Sequence, residues 1–519
     1  MTRRSSGALA FPAQHCNFGT LSVPSRFDES VAKAQAHGQG AAAAMRGGPI
    51  ALGKKLLGNL GSALAGRVAG ALIGVVTFGV LARSIGATGL GEYRTVLTML
   101  LFAGVVFDFG LYSITLREIS RDNGEESRIL GNAAAMRIVA TVCAVLVLLL
   151  VLVLTNYDAG VRYGVIIAGG GWVGYQLNDA LRAVFQLKLA KHLGAIAEIV
   201  GALVALVLVS AFAAMGAGTT AMLGATAVGF ICMAVLAFYY ANQLLPFRLR
   251  FDFEVWRMLI ATGLPVAGSV LLLNIQLRAD VLLLSVLQTA RQVGLYDAPL
   301  KLYDLLFVVP YLFGGMMMPL FVRDRGADGS GSFGSRLSAT ISASVIISSL
   351  TFAVMFVHAE SIVTMLAGAD FVDAATPLRI LSAAALFAGI SAILRFAATA
   401  LHVPGKMLRA DVGGVAVALA VHIMLIPSYG IIGAAIGKLC GDIVTSCSAL
   451  VMLRKQFTRG LFNSLGVAAA AGVGLFAALD LAEYSGMPWL IAVAICLPAI
   501  GSGLYLVPHV RQELRYLTA

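Results

Sequence analysis

Fourteen long apolar segments run through this chain, and its lysines and arginines fall largely into every second connection between them. Segments of about 20 apolar residues are the length of a membrane-spanning helix, and an alternating basic bias sets which connections stay on the cytoplasmic side. The segments lie near 58–82, 95–116, 132–155, 161–181, 193–214, 219–241, 258–287, 294–322, 337–358, 374–401, 407–428, 431–453, 462–482 and 487–508. With the first helix starting in the cytoplasm, that side carries 22 basic residues, from Lys54 and Lys55 through Arg117, Arg182, Arg248, Arg323, Lys406 and Arg454 to Arg515. The other side carries five: Arg83, Arg94, Arg162, Arg291 and Arg379. Both termini are therefore expected to be cytoplasmic.

Composition agrees, with 59% hydrophobic and only 12% charged residues among 519, about half the charged share usual in soluble domains. The net charge of +11 is spread over connections and not gathered into one face. It therefore points to anionic lipid head groups and away from nucleic acid. Six cysteines lie mostly inside apolar segments without CxxC spacing, so neither a disulfide framework nor a metal site is expected. Residues 1–50 are rich in Ala, Gly, Ser and Pro and lack the apolar core of a signal peptide, which reads as a disordered tail. Met45 is an alternative start, since the sequence after it makes a short basic lead into the first segment.

The chain repeats itself. Gly91 and Tyr93, in the turn after the first segment, map onto Gly294 and Tyr296 after the seventh at a common offset of 203 residues. Because six spans separate the copies, the two halves share one orientation and are related by an axis along the membrane normal. The expected division is a tail (1–50), an N-lobe of helices 1–6 (51–247), a C-lobe of helices 7–12 (248–456), and helices 13–14 with a short cytoplasmic tail (457–519). The fold class is all-α and polytopic, with two six-helix lobes around a central cavity.

The stretch from Val80 to Tyr93, with Leu81-Ala82-Arg83, Gly86 and Gly91-Glu92-Tyr93, resembles a turn motif of one family. So do Asp108-Phe109-Gly110-Leu111, Arg278-Ala279-Asp280 and Gly294-Leu295-Tyr296. The family is the polysaccharide transporters of the multidrug/oligosaccharidyl-lipid/polysaccharide (MOP) exporter superfamily, which includes Wzx-type flippases, and the resemblance covers about residues 55–455. It implies two lobes that open alternately to each side of the bacterial inner membrane and move an undecaprenyl-pyrophosphate-linked oligosaccharide outward for surface polysaccharide synthesis. It also marks Arg83, Gly91, Glu92, Tyr93, Gly294 and Tyr296 as motif turn residues. Partners under this reading are the lipid-linked glycan, membrane lipids and a polysaccharide polymerase or export machinery. Alternatives are a cation-coupled drug exporter of the same superfamily, a lipid II flippase, and a membrane glycosyltransferase or ligase.

Ionisable residues inside spans cost roughly 2.5–3.5 kcal/mol each on insertion scales, so they face a cavity or a partner. Arg67 lies about nine residues into the first segment with no acid one turn away, making it a candidate cavity cation. Arg278 has no acid one helical turn away and either meets substrate or anchors its helix near the interface. Arg395 likewise lacks a carboxylate at helical spacing and either faces the cavity or snorkels to the helix end. Lys301 is a further candidate for the cavity, although it has Asp297 and Asp304 at local pairing distance, as Lys438 has Asp442. Unpaired guanidinium groups suit a pyrophosphate, which arginine grips bidentately. Asp108, Asp280 and Asp304 are candidates for ion coupling, Asp108 alternatively pairing with Arg67. Walker, HExxH and GxSxG motifs are absent from the sequence and the seven histidines are scattered, so neither enzymatic chemistry, nor ATP use, nor a cofactor is expected.

Overall fold

In a computed structural model of the protein, residues 49–457 are described except 108–109, 122–123, 156–157 and 327–329, together with residues 474, 476–477 and 479. The expected tail up to residue 48, Met45 within it, Asp108, and most of the thirteenth and all of the fourteenth segment lie outside the described residues. The chain separates into two compact units, 1–61 and 62–519. Residues 49–61 of the first are helical, and all packing below belongs to the second.

The first twelve apolar segments are helical among the described residues, except that the second, 95–116, is interrupted between Val106 and Leu111. They form α1 (Pro49–Val106), α2 (Leu111–Ile119), α3 (Glu126–Leu154), α4 (Ala159–Leu187), α5 (Lys191–Ala214) and α6 (Thr219–Leu244) in the first half. The second half holds α7 (Phe253–Leu287), α8 (Ala290–Gly326), α9 (Ser330–Val357), the short α10 (Ala359–Ala367), α11 (Ala375–Ala400) and α12 (Pro404–Leu453). In hydrocarbon each backbone amide must be satisfied within its own segment, which leaves helices as the only open-ended solution. Eight helices among the described residues are long and apolar enough to cross a membrane, and the protein is a multi-span membrane protein. α1 contains the first expected segment and the start of the second, and α12 the eleventh and twelfth; they are broken at Gly86 (φ +66°, ψ −177°) and Gly430 (φ +52°, ψ −125°). Both breaks lie at left-handed φ, where only glycine is unstrained.

Within each half the helices pack against one another: α4 and α5 on α6 in the first, α8, α9 and α12 on α11 in the second. The largest core nevertheless joins both halves, with Leu90 and Leu100 of α1 in one cluster with Leu295, Leu300, Ala374 and Leu381. Other faces stay apolar but uncovered: Leu146, Leu150 and Leu154, spaced four apart on α3, are 59%, 58% and 71% exposed, as a lipid-facing stripe requires. Of residues 474–479, Phe476 meets Phe356 of α9 edge-on at 5.5 Å and Leu479 is buried beside Ala353 and Val357.

The linker between the halves is tied to α3. Arg250 N–H donates to the Gly131 carbonyl (3.3 Å), and Asp252 N–H donates to Asn132 Oδ1 (2.8 Å). The Asp252 carboxylate caps α7 through Glu254 N–H and accepts from Arg128 Nε (3.1 Å). Those Arg128 hydrogen bonds hold the Asp252 carboxyl below the usual carboxylate range. A depressed carboxylate pKa means the tie is present above about pH 4 and is lost as pH falls through the lower folded value.

The Gly169–Gly171 run shows how small residues act here. A Cβ on Gly171 would lie 2.3 Å from the Ala227 Cα of α6, whereas one on Gly170 meets nothing within 4 Å. Gly171→Ala is therefore expected to lower the thermal stability of the detergent-solubilised protein by about 1–3 kcal/mol through overpacking. Gly170→Ala, gaining helix propensity, should be neutral or stabilising by up to ~1 kcal/mol. Equal unfolding temperatures for the two variants would contradict this packing.

Candidate functional site

The repeated turns meet. α1 breaks at Gly86, and the helix that restarts there carries Ala87, Gly91 and Arg94 along one face. A Cβ on Gly91 would come 1.7 Å from the Ala290 carbonyl oxygen, and one on Gly294 would come 1.8 Å from that of Ala87. Ala87 and Ala290 are 203 residues apart, as are Gly91 and Gly294, so each contact is the image of the other. Backbone touches backbone, which only residues without a side chain permit.

A charge pair lies three residues further on. Arg94 Nε and Asp297 Oδ1 are 2.9 Å apart, with side chains only 17% and 6% exposed. The two tyrosines of the repeat brace their turns differently. Tyr93 and Thr226 of α6 share a hydrogen bond of 2.9 Å, and Tyr296 donates to Asp280 Oδ2 of α7 at 2.9 Å. Arg83 reaches across to donate to the Met365 carbonyl of α10, and Glu92 is partly exposed on the same turn. All these residues sit at the end of the bundle with few basic connections.

A polar face of α8 continues inward from this contact. Asp297, Lys301 and Asp304 recur at helical spacing, and Lys301 lies in the combined field of Arg94, Asp297, Asp304 and Arg278. Arg278 Nη2 of α7 donates to Asp304 Oδ2 at 2.7 Å, while its buried Nη1 has no hydrogen-bond partner among the described residues. Tyr303 donates to Asp442 Oδ2 of α12 at 2.7 Å. Lys438 directs its ammonium to the Gln276 and Leu277 carbonyls (2.9 and 3.3 Å) and sits 5.0 Å above the Tyr303 ring. Three helices thus converge on one charged network in the second half of the chain.

This placement corrects several sequence expectations. Arg278 is not an unpaired cation, because α8 supplies Asp304 from a neighbouring helix, which a search along one helix misses. Arg395 for the same reason is not free: Asp411 of α12 accepts from it bidentately at 2.7 and 3.0 Å. The local Lys438 and Asp442 pairing gives way to contacts with α7 and Tyr303. Arg137 and Arg336, counted with the connections, lie within α3 and α9 and are paired with Asp179 (3.0 Å) and Asp324 (2.6 Å). Arg67 is in the helical part of α1, but its side chain lies outside the described residues, as does Asp108. Arg94 went unnoticed as a partner of Asp297. The signal was present, since the offset of 203 that pairs the glycines pairs these opposite charges too.

Two outcomes follow from the pairing. Arg278→Gln and Asp304→Asn should each lower the unfolding temperature in detergent, and the double variant should lose less than the sum, with a coupling of about 1–3 kcal/mol; strict additivity would show that the pair is not formed. Gly91→Val should hold the turns apart, seen as faster maleimide labelling of a Leu90→Cys reporter, whose native side chain is 0% exposed. Unchanged labelling would mean that the turns tolerate the branched side chain in contact.

The model of the polysaccharide biosynthesis protein family matches residues 56–323. No functionally curated protein sequence matches the chain. Among solved structures, the lipid II flippase MurJ in an inward closed conformation superposes with a TM-score of 0.71 at 12% identity, covering 85% of this chain and 98% of that one. An inward-facing multidrug resistance MATE family transporter of the MOP superfamily gives 0.60 at 14% identity, covering 75% and 94%. A MOP superfamily transporter from Pyrococcus furiosus gives 0.54 at 14% identity, covering 79% and 96%. At these identities the likeness is one of fold.

Proposed function

Because the chain belongs to the polysaccharide biosynthesis protein family, we propose that it is a flippase for a lipid-linked, undecaprenyl-pyrophosphate-bound oligosaccharide. It works by alternating access in the bacterial inner membrane and carries out no covalent step. The basic-rich end, with both termini, faces the cytoplasm, so the contact of Gly91 with Ala290 and Gly294 with Ala87 closes the outer end. The observation that carries this reading is the charged network of Arg94, Arg278 and Lys301 just inside that contact, with one guanidinium nitrogen of Arg278 unpartnered among the described residues.

A pyrophosphate arriving from the cytoplasmic side offers oxygens that compete with Asp297 and Asp304 for these cations. Arginine binds phosphate bidentately, and a water-filled cavity limits the desolvation that such a charge incurs. Loosening the Arg94 to Asp297 pair in this exchange removes the charge contact between the halves and favours the outward-open state. Binding then shifts a two-state equilibrium only by its differential affinity for the two states. Arg67 is a further cavity cation under this reading, Asp280 and Asp304 are positions at which an ion could couple, and a polysaccharide polymerase or export machinery takes the product.

Transport of lipid II is the second reading, favoured by the higher superposition on the lipid II flippase than on the drug exporters. Lipid extraction and mass spectrometry of cells lacking the protein separates the readings. Accumulation of a completed undecaprenyl-linked repeat unit supports the first and names the cargo, accumulation of lipid II supports the second, and unchanged lipids with sensitivity to small toxic cations supports a drug exporter. In complemented cells Arg278→Ala should abolish surface polysaccharide at normal membrane levels of protein, with Arg278→Lys rescuing in part. Full export by Arg278→Ala would remove this arginine from the mechanism.

A further inference from the structure

A second cavity lies beside the gate, separate from the charged network. It is a cleft of about 530 Å³, within the roughly 300–1,000 Å³ of small-molecule sites. Its walls come from the first turn of α8 (Arg291, Gln292), the segment from α10 to α11 (Glu360, Asp373, Thr376) and the break in α12 (Tyr429). It opens at the basic-poor end of the bundle, where Arg291 lies.

The break at Gly430 builds the cleft, and the C-cap of α7 together with the first turn of α8 fixes it. Gln288 Nε2 donates to the Ile426 carbonyl (2.8 Å) and, at 3.3 Å, to that of Pro427. Gln292 Oε1 accepts from Ile431 N–H at 3.2 Å. A Cβ on Gly430 would come within 2.6 Å of that same oxygen, so the interrupted helix and the Gln292 amide are held in one arrangement. Tyr429, the residue before the break, is left 61% exposed.

The remaining polar groups are open and balanced. Arg291 and Asp373 form a loose pair at 3.6 Å with side chains 57% and 60% exposed. Glu360, 63% exposed, is matched by Arg379 at 3.3 Å. Each acid has its arginine, so the cleft carries no net charge from these four groups. Planar amide, carboxylate and guanidinium groups present forked donors and acceptors that suit adjacent hydroxyls. An exposed tyrosine ring adds an apolar face with a polar tip.

From this combination we propose that the cleft is a carbohydrate subsite for a neutral pyranose at the outer mouth of the transporter. One face of the sugar stacks on Tyr429, and its hydroxyls bond to Arg291, Asp373 and Thr376. The proposal rests on the reading of the chain as a glycan transporter. Gln292 and Gly294 are two residues apart on α8, so the sugar is held by the helix that carries the gate. The glycan leaving the cavity is thereby retained on the outer side while the gate recloses.

The test is saturation-transfer NMR on the full chain in lipid nanodiscs, with maltotriose, cellotriose and chitotriose as probes. The expected result is transfer to at least one trisaccharide, reduced at least fivefold by both Tyr429→Ala and Thr376→Arg, with unfolding temperatures near wild type. Absence of transfer to all three overturns the proposal, as does transfer that neither substitution changes. Surface polysaccharide in cells keeps the two readings apart. If deletion of the protein leaves surface polysaccharide and lipid-linked intermediates unchanged, the transport reading fails, whatever the trisaccharides do. If deletion stops export while the nanodiscs bind no sugar, transport stands and the cleft proposal falls.

Discussion

The contact between the repeated turns depends on two backbones approaching at Gly91 and Gly294. Within a membrane, helices gain little from the hydrophobic effect when they associate, so close packing and polar contacts must hold them. At this contact the packing reaches its limit, since any side chain at either glycine would occupy the other half's carbonyl oxygen. The Arg94 and Asp297 pair then adds a directional interaction beside a purely steric one. Around both, Leu90, Leu100, Leu295 and Leu300 complete a core that spans the two halves of the chain. Loss of the contact would divide that core along the same seam.

The second organising constraint is charge satisfaction. A guanidinium left alone among apolar helices is costly, and removing one partner of a buried pair is worse than never having had the pair. The chain answers with partners on neighbouring helices: Arg278 with Asp304, Arg395 with Asp411, Arg137 with Asp179. These pairs are structural where both members are fully used, as in the bidentate Arg395 contact. Arg278 differs, since one of its nitrogens has no partner among the described residues, as a group proposed to accept a ligand requires.

Much of this was legible in the amino-acid order. Apolar length alone located all twelve helical segments within the described residues, because a spanning helix has to satisfy its own backbone. The repeat of Gly91-Glu92-Tyr93 in Gly294-Leu295-Tyr296 marked the two turns that meet. Charge pairing was less legible. Local spacing rules see neighbours along one helix, so they offered Asp442 to Lys438 and nothing to Arg278 or Arg395. The partners of Arg395, Arg278 and Arg137 come from 16 to 42 residues away on the next helix, and the carbonyls that Lys438 reaches come from 161 and 162 residues away, where only the packing decides. The separate segments expected on either side of Gly86 and Gly430 agree with the two breaks, but hydropathy gave no sign that each helix restarts at once, because glycine permits the break without a polar connection.

The Arg94 and Asp297 pair carries one more implication. Its members occupy the same position in the two repeats, and that position lies beside the axis relating them. Were the two halves identical chains assembled about a true twofold, this position would meet its own copy, arginine against arginine or aspartate against aspartate. Opposite charges can face each other there only because both copies reside in one polypeptide and are free to diverge. At this position neither half is complementary to itself, and the symmetry that the glycines preserve is given up at the next turn of helix.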